Sequence, residues 1–133
     1  MRCVDPGHSY LLTAYDAEPG STRNLVFMKR EGPGYPFNVG HYPGTNCQEV
    51  IRALIDRVKY LDRQIACPEN AIILAGLRSA LAAFEIRAAR RHGRELSAQP
   101  TEIENAPICQ CCGHIGCSIH SPPQSSTLRP EGT

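Results

Sequence analysis

The most regular alternation of apolar and polar positions lies between Thr45 and His92. Ile51, Leu54, Val58, Leu61 and Ile65 recur at spacings of three and four, with Val50 and Ile55 widening the stripe. That period lays one apolar face along an α-helix, opposite Glu49, Arg52, Asp56, Arg57, Lys59, Asp62 and Arg63. Thr45 and Gln48 form a T-x-x-Q capping box just ahead of it, so the helix is predicted to begin at Asn46. The run ACPEN at 66–70 interrupts the pattern, and Pro68 suits the first turn of a second helix, where its missing N–H is no loss. This second helix is predicted to bury Ile73, Leu77, Ala80, Leu81, Phe84 and Ala88, to run to His92, and to stop where Gly93 takes a left-handed cap. Ala80, Ala82, Ala83, Ala88 and Ala89 permit close approach of a partner helix, either the first helix or its copy in another subunit. The short link makes an antiparallel pair the default.

Upstream the period changes to two. Residues 10–15 (YLLTAY) and 25–30 (LVFMKR) read as short strands, and the stretch between them holds Pro19, Gly20, Ser21 and Asn24, which predicts a hairpin with a long loop. In the second strand Leu25, Phe27 and Lys29 share one face and Val26, Met28 and Arg30 the other. A two-stranded ribbon is barely stable alone, so one face is expected to lie on the helices. Helix is excluded at 31–44 (EGPGYPFNVGHYPG). The rings of Tyr35, Phe37 and Tyr42 either cover the core or, with His41, belong to a binding loop whose glycines let a ligand approach the backbone. The predicted fold class is α+β, with an N-terminal β-hairpin packed on an antiparallel two-helix hairpin at 1–94. A polar linker at 95–107, a Cys/His-rich segment at 108–120 and a disordered Pro- and Ser-rich tail at 121–133 are expected to follow.

With 133 residues the core is modest, so a metal clamp or an oligomer interface is a natural supplement. The net charge is only +1, and any phosphate site must come from local clustering of arginines. No apolar run approaches the roughly 20 residues that span a bilayer, and MRCVDPGHSY lacks the layout of a secretory signal, so the expectation is a cytoplasmic protein without a membrane partner. In that reducing compartment seven cysteines read as packed thiols and metal ligands rather than disulfides.

The segment CQCCGHIGCSIH places Cys109, Cys111, Cys112, His114, Cys117 and His120 within twelve positions. Cys109 and Cys112 followed by Gly113 form the C-x-x-C-G turn that aims two sulfurs at one point, and Cys117 with His120 repeats the gap and closes a tetrahedral zinc site. Cys111 or His114 could replace one of these four. Such a zinc is structural, since four protein ligands leave no open position; an unliganded reduced tail is the plain alternative. A second cluster, Arg87, Arg90, Arg91, His92 and Arg94, sits at the end of the second helix. The helix dipole accounts for one or two cations there. The remainder exceed that need: they read as a solvated face or, since Arg87 with Arg91, like Arg90 with Arg94, lie one turn apart, as a fork for phosphate oxygens. Cys47 at a helix start has no identifiable base beside it and reads as a packed thiol. No nucleophile elbow, Walker loop, HExxH or dinucleotide fingerprint is present, so the chain is read as a binding protein and not an enzyme.

The run YPGTNCQEVIRALIDRVKYLDRQIACPEN, followed by LRSALAAFEIRAARRHGR and preceded by LVFMKR, resembles a family of small proteins of unknown function encoded by tailed bacteriophages. The likeness covers residues 25–94, and GTNCQEVIRALIDR and RAARRHG are its most specific parts. It implies a phage origin and a role inside an infected bacterium. By architecture and charge alone, that suggests an anti-defence protein similar to the oligomeric sponges that sequester cyclic nucleotide signals. On that reading Arg87, Arg90, Arg91, His92, Arg52, Tyr35, His41 and Tyr42 enclose a small anionic, nucleotide-like ligand in a homo-oligomer. The alternative is a zinc-stabilised binder of nucleic acid or of a host protein, in which the cysteine segment and the arginine cluster make one basic face.

Overall fold

The computed structural model describes residues 1–35, 42–97, 99–110 and 112–117. The element order is β1 (Arg2–Asp5), β2 (Ser9–Thr13), β3 (Thr22–Val26), α1 (Cys47–Gln64), α2 (Pro68–Arg91) and α3 (Pro100–Glu104). The fold class is α+β, as the periodicities predict. The chain divides into two compact units, Met1–Val50 and Ile51–Thr133.

The first unit holds a three-stranded antiparallel sheet in the order β1-β2-β3, one strand more than predicted. β1 has four residues with a register shift between Cys3 and Asp5, too short for an alternation to be read. Its return to β2 turns on Gly7, whose φ of 75° is left-handed and whose N–H donates to the Tyr10 hydroxyl at 2.9 Å. β3 lies three residues upstream of its predicted start. Its ladder with β2 runs from Ser9↔Val26 to Thr13↔Thr22, continuing through exposed Thr22, Arg23 and Asn24, because main-chain pairing rather than hydrophobicity sets its extent. Phe27 and Lys29, predicted inside the strand, make single bridges to Thr45 and Tyr42 instead. Gly44 is required at this crossing, since a Cβ there would lie 2.5 Å from the Phe27 carbonyl carbon. Thr45 is occupied by the same crossing, exchanging main-chain bonds with Val26 and Met28 at 2.9 and 2.7 Å. The α1 cap therefore falls to Asn46, whose Oδ1 accepts the Glu49 N–H at 2.8 Å, and the predicted Thr45 box is corrected by one residue.

In the second unit α1 and α2 are antiparallel. The Asp62 carboxylate near the end of α1 accepts from the Asn70 side chain at 2.9 Å and the Cys67 N–H at 3.3 Å, at the start of α2. At the opposite end Arg52 of α1 faces Glu85 of α2. Ile51, Ile55, Leu81, Ala82, Ile103 and Ile115 form one buried cluster, with Leu81 and Ile103 fully enclosed. Each such side chain contributes about 1.5–3 kcal/mol by leaving water. Several positions of the predicted stripes flank this core instead of entering it: Leu54, Leu61, Ile65, Ile73 and Ala80 are exposed. The stretch 95–107, predicted as a polar linker, contains α3, which packs on α2 and supplies Ile103 to the core. A reciprocal cap of Gln99 and Glu102 starts that helix. No helix among the described residues is long and apolar enough to cross a membrane.

Candidate metal centre and the basic end of α2

Ile108 and Ile115 meet in a single antiparallel bridge that closes a small loop beyond α3. Within it the Cys109 N–H donates to the His114 carbonyl at 2.9 Å, and the Gly113 N–H donates to the Cys109 carbonyl at 2.8 Å. Gly113 and Gly116 take φ of 74° and 64°, left-handed values that a side chain would resist. These bonds turn the chain so that the sulfurs of Cys109, Cys112 and Cys117 all lie within 4.8 Å of one another. Sulfurs bound at about 2.3 Å to one tetrahedral ion stand about 3.8 Å apart, so three donors need to close by no more than about 1 Å. The three cysteines could therefore hold a metal ion.

The electrostatics of the loop agree with the geometry. Burial pushes the Cys112 thiol up to about 12, hydrogen bonds with Cys109 and Cys117 push the same way, and the His114 N–H pulls against them. A bound metal cation would supply the positive charge that favours the thiolate form in such a donor set. His120 and Cys111, two further donors predicted from the spacing, lie outside the described residues. His114 is described, but its ring is not part of the three-sulfur group. A cleft of about 630 Å³, lined largely by apolar side chains including Leu96, Ile103, Ile108 and Ile115, borders the loop at Cys109 and Cys117.

The basic end of α2 adjoins this loop. His92 caps α2, donating its N–H to the Ala88 and Ala89 carbonyls, and Gly93 follows at φ 70°, as the sequence predicts. The His92 ring lies 6.1 Å from that of His114, and the Arg94 guanidinium reaches to within 3.0 Å of where a Cβ on Gly116 would sit. Arg87, Arg90 and Arg91 are exposed, Arg87 stacking over Phe84 at 5.0 Å. Arg52 is placed differently. It is mostly buried and faces Glu85 with Nη2 at 3.6 Å from Oε1, so its charge is directed at a carboxylate. Tyr35 and Tyr42 belong to the first unit, where Tyr42 packs on His8 at 5.2 Å and under Lys29, while His41 lies outside the described residues.

Two features escaped the sequence reading. Glu85 is 1% exposed, and its Oε2 accepts the Ile115 N–H at 3.1 Å. Its position between Phe84 and Ala88, four residues after Leu81, was a usable signal, a carboxylate on the apolar stripe. Glu104 ties α3 to both long helices by accepting from Lys59 and Arg78. Among the other described cysteines, Cys3 and Cys67 are exposed and Cys47 is half-buried, and none forms a disulfide. Comparison with protein-family models, with curated proteins and with solved structures finds no match to this chain.

Proposed function

We propose that this chain is a non-enzymatic binding protein whose second unit is clamped by a structural zinc ion and presents the basic end of α2 to a phosphate-bearing partner. The observation that supports this most directly is the convergence of three cysteine sulfurs beside an arginine-rich helix end. Cys109, Cys112 and Cys117 supply three thiolates, and His120 is the fourth donor offered by the spacing. The zinc supplies positive charge that keeps the thiolates ionised and fixes the loop. Arg52 is directed at Glu85, whereas Arg87 and Arg90 lie on an exposed edge better suited to an extended nucleic acid than to an enclosed nucleotide. Native mass spectrometry with metal analysis is expected to give one zinc per chain. DNA or RNA binding should weaken steeply with salt, and replacing Arg87, Arg90 and Arg91 with alanine should lower affinity about tenfold or more at low salt while flattening that dependence. A salt-independent affinity, or none at low salt, would count against the nucleic-acid partner.

A homo-oligomeric nucleotide sponge with an anti-defence role is the second reading. It is favoured by the exposed Leu54, Leu61, Ile65, Ile72 and Ile73 on the helix pair, which suit association of subunits. It predicts an oligomer mass and saturable binding of a cyclic nucleotide without turnover, measurable by calorimetry.

A further inference from the structure

A carboxylate has no evident reason to sit inside an apolar core, and Glu85 sits there with its neighbours Leu81, Ala82, Ala88 and Ala89 also buried. Burial of a charged carboxylate is tolerated only where hydrogen bonds and an opposite charge replace its water. Both are supplied from specific directions. Oε2 accepts the Ile115 N–H at 3.1 Å, and Oε1 faces the Arg52 guanidinium of α1 at 3.6 Å. Ile115 lies between Cys112 and Cys117, and its bridge to Ile108 fixes the strand leading into Cys109. One side chain thus grips the piece of backbone from which all three sulfurs hang, and the same side chain is anchored to both long helices.

We propose that Glu85 is a positioning residue for the cysteine site, holding the 108–117 loop in the metal-binding geometry and coupling metal uptake to the stability of the α1–α2 pair. The proposal rests on the metal reading above. Glu85 acts through the Ile115 main chain, whose N–H it accepts. Groups that act in this way on metal ligands commonly set affinity over one to two orders of magnitude. Arg52 faces the carboxylate from α1 at 3.6 Å, which gives this buried pair a task beyond stability.

The experiment compares full-length wild type with Glu85→Ala and Glu85→Gln. The zinc dissociation constant of each is measured by competition with a chromophoric chelator, and each is melted with and without zinc. Glu85→Ala is expected to weaken zinc binding about tenfold or more and to shrink the zinc-dependent gain in Tm. Glu85→Gln retains an oxygen for the Ile115 N–H and should lose less. Zinc affinities within twofold of wild type in both variants would overturn the proposal while leaving the metal reading intact, whereas a wild type that takes up no zinc would overturn the metal reading itself. Should the variants fail to fold, hydrogen exchange on the unsubstituted protein decides the matter. Chelation should speed exchange at the α2 amides around Glu85 more than at the Pro68 end, and a change confined to the 108–117 loop would refute the coupling.

Discussion

The two units of this chain hold themselves together by different means. All the buried hydrophobic side chains found among the described residues, from Ile51 to Ile115, lie in the second unit, where they come from four separate stretches of sequence. Among the described residues of the first unit the only side chain buried to that degree is Gln48; its structure is carried by a three-stranded ladder, by the crossing at Gly44 and Thr45, and by the Lys29–Asp5 ion pair. A main-chain ladder is directional and tolerant of side-chain change. A packed core is neither, because an atom removed from it leaves a void that its neighbours fill only in part. The second unit is assembled from distant segments that must be held in register, and a metal ion held by the cysteine loop would add most there.

The comparison breaks most visibly at Leu81. Leu81→Ala should destabilise the protein by about 3 kcal/mol in urea unfolding, whereas Leu12→Ala in β2, half-buried, should lose less than about half of that; equal losses would mean that the first unit hides a core of its own. Metal removal comes next. A site saturated to a hundredfold excess over its dissociation constant adds about 2.7 kcal/mol, so chelation, or Cys112→Ser, should lower stability by about that much. Hydrogen exchange should register the loss in residues 51–117. Gly44→Ala tests the first unit alone. Its methyl group would meet the Val26 and Phe27 main chain at 2.5–2.7 Å, and a loss of about 1–3 kcal/mol with faster exchange at the Met28 and Thr45 amides is expected.

The smallest effect is a pH dependence. Burial pushes the Glu104 carboxyl up, but bonds from Arg78 and Lys59 outweigh it and hold the group below its ordinary value of 4.5. The unfolded chain therefore binds this proton more readily than the folded one. Glu104's contribution is complete above about pH 4.5 and fades as pH falls through the lower folded value. Urea midpoints followed from pH 6 downward should show that slope, and Glu104→Gln should flatten it; an unchanged slope in the variant would assign it to other carboxylates.

How much was legible in the residues follows the same division. Both long helices, the Pro68 start and the Gly93 stop were readable, because propensity, period and caps are local. The C-x-x-C-G turn was readable for the same reason, and it placed Cys109 and Cys112 correctly beside Cys117. β1 was not, since four residues with a register shift leave no period. Nor was the role of 95–107, where one isoleucine among polar neighbours gives no sign that it enters a core. Within its own segment Arg52 lies on a charged face and reads as an anion ligand; its approach to Glu85, thirty-three positions away, is a matter of the fold.

The sequence by itself determined the local elements of this protein: where the long helices run and which turns need glycine. Those are set by interactions within a few residues along the chain, and the amino-acid order specifies them directly. Only the tertiary structure decided that Ile103 and Ile115 join Leu81, that Glu85 grips the cysteine loop, and that Arg52 turns inward while Arg87, Arg90 and Arg91 stay exposed. Such pairings depend on which apolar surfaces find each other across long separations, and burial, once fixed, dictates which charges must be compensated.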